Sequence, residues 1–259
     1  MTLVAHTEHE QDLALAAELQ AALLPKQCPS DCPHQVAAAR NRMCATIGGD
    51  FHDFIRINRD QTAILVGDVV GHGVRSSLLM AQIMGWLRSE PAHRSRPAQV
   101  VGELNRMLID LGERTDSILP CTLFYAVLDL PSGIAFFVNA GHPKPLLCDA
   151  NKGTVLPLGD NNLLLGVDAF EPEEGCHTFQ PGQRLVLYTD GITDAMNVQG
   201  DFFGSHRLRE LIHATIRETP SRCSDLVFQA IDTHRATAPQ QDDETLVVLD
   251  RLKAPAISP

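Results

Sequence analysis

The sequence contains no apolar run approaching the ~18 residues that a membrane-spanning helix needs. Its N-terminus, MTLVAHTEHEQD, lacks a basic stretch followed by an apolar core, so no signal peptide is visible. Positive charge is scarce: 21 Lys and Arg stand against 32 Asp and Glu, for a net charge of −11. That argues against nucleic acid or an anionic membrane as the main partner. The seven cysteines are scattered, odd in number and form no C-x-x-C, which fits a reducing, cytoplasmic setting. Cys28, Cys32 and His34 do form C-x3-C-x-H. No second ligand pair follows at finger spacing, so a proline-rich loop is expected there rather than a zinc site. Several catalytic signatures are also missing. There is no C-x5-R for a cysteine phosphatase and no D-x-D for a haloacid-dehalogenase nucleophile. There is no G-x-x-x-x-G-K-[ST] and no G-x-S-x-G, which weakens ATPase and serine-hydrolase readings.

What is present is an ordinary globular composition, 44% apolar and 20% charged over 259 residues. A chain of this size buries ~70–75% of its unfolded surface and needs no disulfide or metal staple to fold. Residues 9–24 carry Leu13, Ala16, Ala17, Leu23 and Leu24 at helical spacing, and Pro25 stops the pattern. Residues 25–34 (PKQCPSDCPH) read as a breaker-rich linker. Strand patterns follow in pairs. Residues 51–57 and 62–68 flank the turn 58–61, and residues 122–130 and 134–139 flank Pro131-Ser132-Gly133. Helical patterns at 74–89 and 97–111 lie between those pairs. A hairpin at 146–158 turning at 150–153, a strand at 184–189, helices at 205–218 and 221–236, and a strand at 245–252 complete the reading. Hairpin-joined strands with helices inserted in pairs predict an α+β fold with mainly antiparallel sheets. The expected division is an N-terminal helix and linker (1–33), one main domain (34–252) and a tail (253–259).

The aspartates cluster at strand ends. Asp50 and Asp53 open one strand (GGDFHD) and Asp68 closes its hairpin partner (LVGDVVGHG). Asp190 ends another (LVLYTDG), and Asp242 and Asp243 precede the last (QDDETLVVL). A strand end holds a side chain rigidly, and neighbouring glycine lets backbone and solvent approach. Carboxylates gathered at one sheet end repel unless a cation sits among them. An all-oxygen donor set suits Mg²⁺ or Mn²⁺, and two such ions can bind phosphate and activate water. A single Asp-Gly is most often a turn former; four clusters at strand boundaries call for more.

The motifs, in order, are Leu23-Leu24-Pro25; Gly48-Gly49-Asp50-Phe51-His52-Asp53; Gly67-Asp68-Val69-Val70-Gly71-His72-Gly73; Asn105-Arg106-Met107-Leu108; Asn139-Ala140-Gly141-His142-Pro143; Leu165-Gly166; Leu187-Tyr188-Thr189-Asp190-Gly191; Phe203-Gly204; and Asp242-Asp243-Glu244-Thr245-Leu246. In that order they resemble the SpoIIE/RsbU branch of the metal-dependent type 2C serine/threonine protein phosphatases. The resemblance implies an αββα sandwich, two antiparallel sheets flanked by helix pairs, with an N-terminal helical extension. It implies hydrolysis of phosphoserine or phosphothreonine on a protein, by attack of a metal-bridging hydroxide. Two divalent cations, Mn²⁺ or Mg²⁺, are implied as cofactors. By motif, Asp68 bridges both and Asp50 holds one with the carbonyl of Val69. Asp190 and Asp242 hold the other, with Asp243 as the alternative to Asp242.

His72 is a candidate general acid or an ordinary loop histidine. His142 is expected to support the sheet edge by hydrogen bonding. The sequence departs from the branch at His52, usually aromatic, and at Val70, usually serine; both are read as changed packing. An arginine that eukaryotic relatives use on the phosphate is missing from Cys44-Ala45-Thr46-Ile47. Gly48-Gly49-Asp50-Phe51 also looks like the GGDEF motif of diguanylate cyclases. Only 47 residues precede it, however, and the later aspartates would go unexplained.

The resemblance further implies a phosphorylated STAS-domain anti-sigma-factor antagonist as substrate, in partner-switching control of a sigma factor. Residues 9–24 are the expected contact for an upstream regulator or a second copy. The initiating Met and the ordinary look of residues 1–8 point to a stand-alone enzyme rather than a piece of a longer sensor. The competing reading, a pseudophosphatase acting as a binding module, would normally have lost a metal aspartate, and none is lost.

Overall fold

The computed structural model describes residues 2–28, 34–89 and 94–252, with side chains from Glu10 onward. The chain opens with helix α1 (Thr2–Leu23) and edge strand β1 (Gln35–Arg42). A hairpin β2 (Phe51–Arg56) and β3 (Gln61–Val69) leads into α2 (Val74–Arg88) and α3 (Pro97–Thr115). Then come β4 (Cys121–Asp129), β5 (Ile134–Ala140), β6 (Leu146–Asp149), β7 (Thr154–Pro157), β8 (Gly175–Thr178) and β9 (Gln183–Tyr188). A short α4 (Asp190–Thr193), then α5 (Gly204–Ala214), α6 (Pro220–Arg235) and β10 (Glu244–Arg251) close the fold.

The strands form two five-stranded antiparallel sheets, ordered β1-β10-β9-β6-β7 and β2-β3-β4-β5-β8. Alternation along each central strand divides the core into layers. Ala63, Leu65, Leu123, Tyr125 and Val127 pack outward under α2 and α3. Ile64, Val66, Phe124, Ala126 and Leu128 face the opposite sheet, where Leu185, Leu187, Val247 and Leu249 meet them. Val186, Tyr188, Leu246 and Val248 turn outward under α5 and α6. Both faces of the central strands are therefore buried, so their sequences read as unbroken apolar runs. The architecture is the αββα sandwich with an N-terminal helix.

Two strands escape a reading by periodicity, β1 and β8, and both are sheet edges. The helix expected at 9–24 begins earlier, at Thr2, and α3 runs four residues past Leu111 to Thr115. Of the C-x3-C-x-H group, Cys32 lies outside the described residues. The Cys28 sulfur accepts a hydrogen bond from Gln35 Nε2 at 3.1 Å. The expected tail, 253–259, also lies outside them. Among the described residues, no helix is long and apolar enough to cross a membrane.

Candidate metal centre

One end of the sandwich collects the acidic motifs. The β2–β3 register pairs Phe51 with Gly67, which puts Asp50 opposite Asp68 one step further on. In the facing sheet, Leu246 pairs with Tyr188. Thr189 N–H then donates to the Thr245 carbonyl at 3.1 Å, leaving Asp190 and the Asp242-Asp243 pair side by side beyond the strand ends. Antiparallel pairing thus carries residues more than 190 positions apart to one edge.

Asp50 is 1% exposed. Its Oδ2 accepts from Thr189 Oγ1 at 2.8 Å and from Thr245 Oγ1 at 2.6 Å, so it ties the two sheets together. Burial and the Asp68 charge still hold its carboxyl well above the usual range, against the pull of those hydroxyls. Asp68 is pushed up to about 7 by burial and by Asp190, Asp242 and Asp243. Asp190, at the start of α4, is raised by desolvation and by Asp194; Asp242 is raised by desolvation, then by Asp190, Asp243 and Asp194. The charges shifting Asp50, Asp68, Asp190 and Asp242 upward are all carboxylates.

Asp243 is placed differently from its neighbour. It is buried, with Oδ1 accepting from Cys44 N–H at 2.7 Å and Oδ2 from Gly49 N–H at 2.8 Å. It fastens the loop that delivers Asp50. Asp242 is exposed, and its Oδ1 accepts from Asp243 N–H at 2.8 Å. The next residue, Glu244, is buried against Arg235 and, at 3.3 Å, Arg42, which seats the start of β10. Two glycines permit the crowding. A Cβ on Gly191 would lie 1.9 Å from the Asp243 carbonyl oxygen, and one on Gly49 would lie 2.6 Å from the Val69 carbonyl oxygen. The Val69 carbonyl therefore sits directly beside the Asp50 loop.

Asp53, the second aspartate of GGDFHD, does not join this edge. Its Oδ2 pairs with Arg88 Nε at 2.6 Å and its Oδ1 accepts from Phe54 N–H at 2.8 Å. His72 is exposed on the loop between β3 and α2, with no hydrogen-bond partner among the described residues. His142 is fully buried, its Nδ1 2.8 Å from Thr122 Oγ1, and Thr122 is the β4 partner of Asp68. Burial drives His142 down to about 3 against a smaller pull from the Tyr188 backbone, so the ring is neutral. His52 Nε2 donates to the Pro25 carbonyl at 2.8 Å, and burial lowers its proton affinity. That is the changed packing contact its position implied.

Sequence reading missed four contributors. Thr189 and Thr245 hold Asp50, and each adjoins an acidic motif. Gln20 bonds the backbone of Gly48 through both ends of its amide, from the far end of α1; no sequence pattern marks it. Asp194, one turn after Asp190, adds charge to the same edge.

The donor set suits a hard divalent cation: carboxylates plus a backbone carbonyl, with mutual repulsion left unrelieved. Among the described residues, no three of these side chains close into a ready-made cage. The edge thus gathers the donors without locking them.

A family model described as "Stage II sporulation protein E (SpoIIE)" matches residues 58–252, well over half of the chain. The chain belongs to the SpoIIE family. It is 25% identical over 247 residues to the phosphoserine phosphatase RsbU of Bacillus subtilis (strain 168), covering 94% of this chain and 71% of RsbU. It is 25% identical over 272 residues to Protein IcfG of Synechocystis sp., covering 93% of this chain but only 41% of IcfG. Among solved structures, the SiaA-PP2C domain of Pseudomonas aeruginosa superposes with a TM-score of 0.82 at 20% identity, covering 96% of this chain and 99% of that one. The SpoIIE-family chain therefore has the fold of a PP2C-type phosphatase domain.

Proposed function

We propose that this chain is a metal-dependent protein serine/threonine phosphatase. The observation that carries the reading is the meeting of Asp50, Asp68, Asp190 and Asp242 at one edge of the sandwich, each with raised proton affinity. Likeness to a named phosphoserine phosphatase supports phosphoserine as the target. Asp68 would bridge two ions, Asp50 with the Val69 carbonyl would hold one, and Asp190 with Asp242 the other. Asp242 is preferred to Asp243, because both Asp243 oxygens are already taken by backbone N–H groups. Two Mg²⁺ or Mn²⁺ would supply charge neutralisation for the phosphoryl group and acidify a water.

The residues themselves do the rest. Asp243, Thr189, Thr245 and Gln20 fix the Asp50 loop from four directions. The incoming water releases one proton to solvent as its oxygen bonds phosphorus, the P–Oγ bond to serine breaks, His72 gives its proton to the departing Oγ, and the released proton restores His72. His142 stays neutral and steadies Thr122 behind Asp68.

A phosphorylated STAS-domain anti-sigma-factor antagonist is the proposed substrate, from the family resemblance, with partner switching as its setting. The cytoplasm is the proposed location. Helix α1 is the proposed contact for an upstream regulator or a second copy. The test is phosphate release from a serine-phosphorylated STAS-domain protein. Turnover should vanish in chelator, return with Mn²⁺ or Mg²⁺, and be lost in Asp190→Ala with an unchanged circular-dichroism spectrum. Full activity in excess chelator would sink the reading.

A further inference from the structure

Large apolar side chains are exposed in a group beside the acidic edge. Val70 and Val74 lie on the loop and first turn after Asp68, and both are exposed. Leu78, one turn further along α2, is 67% exposed, and Ile118, just before β4, is 63% exposed. Hydrogen bonds hold the pieces together. Val70 N–H donates to the Pro120 carbonyl at 3.0 Å, and Arg75 Nη2 donates to the Ile118 carbonyl at 3.2 Å. Ile118 and the exposed Val167 line one cavity of about 380 Å³. Positions 74 and 78 are one helical turn apart and so share a face of α2. Leaving such side chains in water is unfavourable relative to burying them. Exposed apolar side chains brought close together by such links are what a protein-binding surface presents.

We propose that Val70, Val74, Leu78, Ile118 and Val167, with Arg75 on the rim, form the surface on which the phosphoprotein substrate docks. The inference rests on the phosphatase reading above. Two observations choose the occupant. First, the patch begins two residues after Asp68. A protein that brings a phosphoserine to that edge must cover this surface with the residues around its serine. Second, Arg75 is an exposed cation next to Ser76, and a Cβ on Gly49 would lie 3.2 Å from the Ser76 Cβ. The chain carries a net charge of −11, so a guanidinium beside the acidic edge complements a phosphorylated partner. The partner surface it fits is a phosphoserine flanked by uncharged apolar side chains.

The experiment compares the unaltered chain with Leu78→Lys and Ile118→Lys, two substitutions at exposed positions. Each is assayed with Mn²⁺ on a serine-phosphorylated STAS-domain protein and on p-nitrophenyl phosphate. Docking on this face predicts at least a tenfold fall in kcat/KM for the phosphoprotein. It also predicts less than a twofold change for p-nitrophenyl phosphate and an unchanged melting temperature. Equal loss on both substrates, or no loss on the phosphoprotein, would overturn the proposal. So would a drop in particle mass by light scattering in the variants, which would assign the face to a second copy. If the unaltered chain hydrolyses the ester but not the phosphoprotein, the docking face fails while the phosphatase reading stands. No Mn²⁺-dependent turnover of either substrate would remove the phosphatase reading itself.

Discussion

Gln20 and Gly48, 28 residues apart, are joined by two reciprocal hydrogen bonds. Gln20 Nε2 donates to the Gly48 carbonyl at 2.7 Å, and Gly48 N–H donates to Gln20 Oε1 at 3.0 Å. The pair links the end of α1 to the loop that delivers Asp50. Arg88 ties the same helix end to α2, donating to the Leu23 carbonyl and to Asp53, both at 2.6 Å. Gln20→Ala leaves two buried backbone groups without partners, a loss of about 1–3 kcal/mol. The expected result is a lower melting temperature together with a several-fold higher Mn²⁺ concentration for half-maximal activity. A fall in melting temperature with unchanged metal dependence would make the pair a packing contact only.

The two adjacent aspartates that precede β10 should behave in opposite ways. Asp243→Ala strips acceptors from Cys44 and Gly49, so the chain should lose about 2–4 kcal/mol of stability by denaturant titration. Asp242→Asn removes an exposed charge from a repelling cluster and should leave stability unchanged or slightly higher. The same Asp242→Asn chain should lose at least tenfold in Mn²⁺ affinity by calorimetry. Full Mn²⁺ affinity in Asp242→Asn would return the ligand role to Asp243.

Asp68 gives the metal-free protein a pH dependence of definite sign. Its carboxyl titrates near 7 in the folded chain against an ordinary value of ~3.9, so the folded state holds a proton that the unfolded state has released. That contribution is full below pH ~4 and is lost as the pH rises through about 7. His142, lowered to about 3, has the opposite sense: its stability is present above ~6.5 and is lost as the pH falls. The comparison of Asp68→Asn with the unaltered chain isolates Asp68. In chelator the variant's stability advantage over the unaltered chain should grow by roughly 2–3 kcal/mol between pH 5 and pH 8. Mn²⁺ should raise the melting temperature of the unaltered chain more at pH 8 than at pH 5, since binding displaces the proton. A gap between the two chains that does not vary with pH would contradict this.

His72 is tested by the leaving group. A proton donor matters when the departing oxygen is a poor leaving group, as in serine, and matters little for p-nitrophenolate. His72→Asn should lower kcat on a phosphoserine protein ~10²-fold and leave p-nitrophenyl phosphate turnover within a fewfold of the unaltered chain. Equal effects on both would remove the general-acid role.

The sandwich was legible in the sequence where strands are buried on both faces. β3, β4, β9 and β10 announce themselves as unbroken apolar runs. β1 and β8 did not, because edge strands mix polar and apolar residues: Arg40, Asn41 and Arg42 in β1, His177 and Thr178 in β8. The acidic edge was legible because its aspartates sit at strand ends, and Asp50, Asp68 and Asp190 each adjoin a glycine. Which of Asp242 and Asp243 turns inward was not, since neighbouring residues in an extended chain face opposite ways and only long-range register sets the phase. Asp53 looked like one more member of the cluster. Its diversion to Arg88 depends on a helix that packs across the sheet. The role of Gln20 is equally invisible, because a lone glutamine on a helix carries no pattern.

Counting bound Mn²⁺ by electron paramagnetic resonance, in the unaltered chain and in Asp68→Asn, decides whether the acidic edge is a two-ion centre. Two ions per unaltered chain at saturation and fewer than one in the variant are expected, with both chains folded. Equal Mn²⁺ binding by the two chains would contradict that.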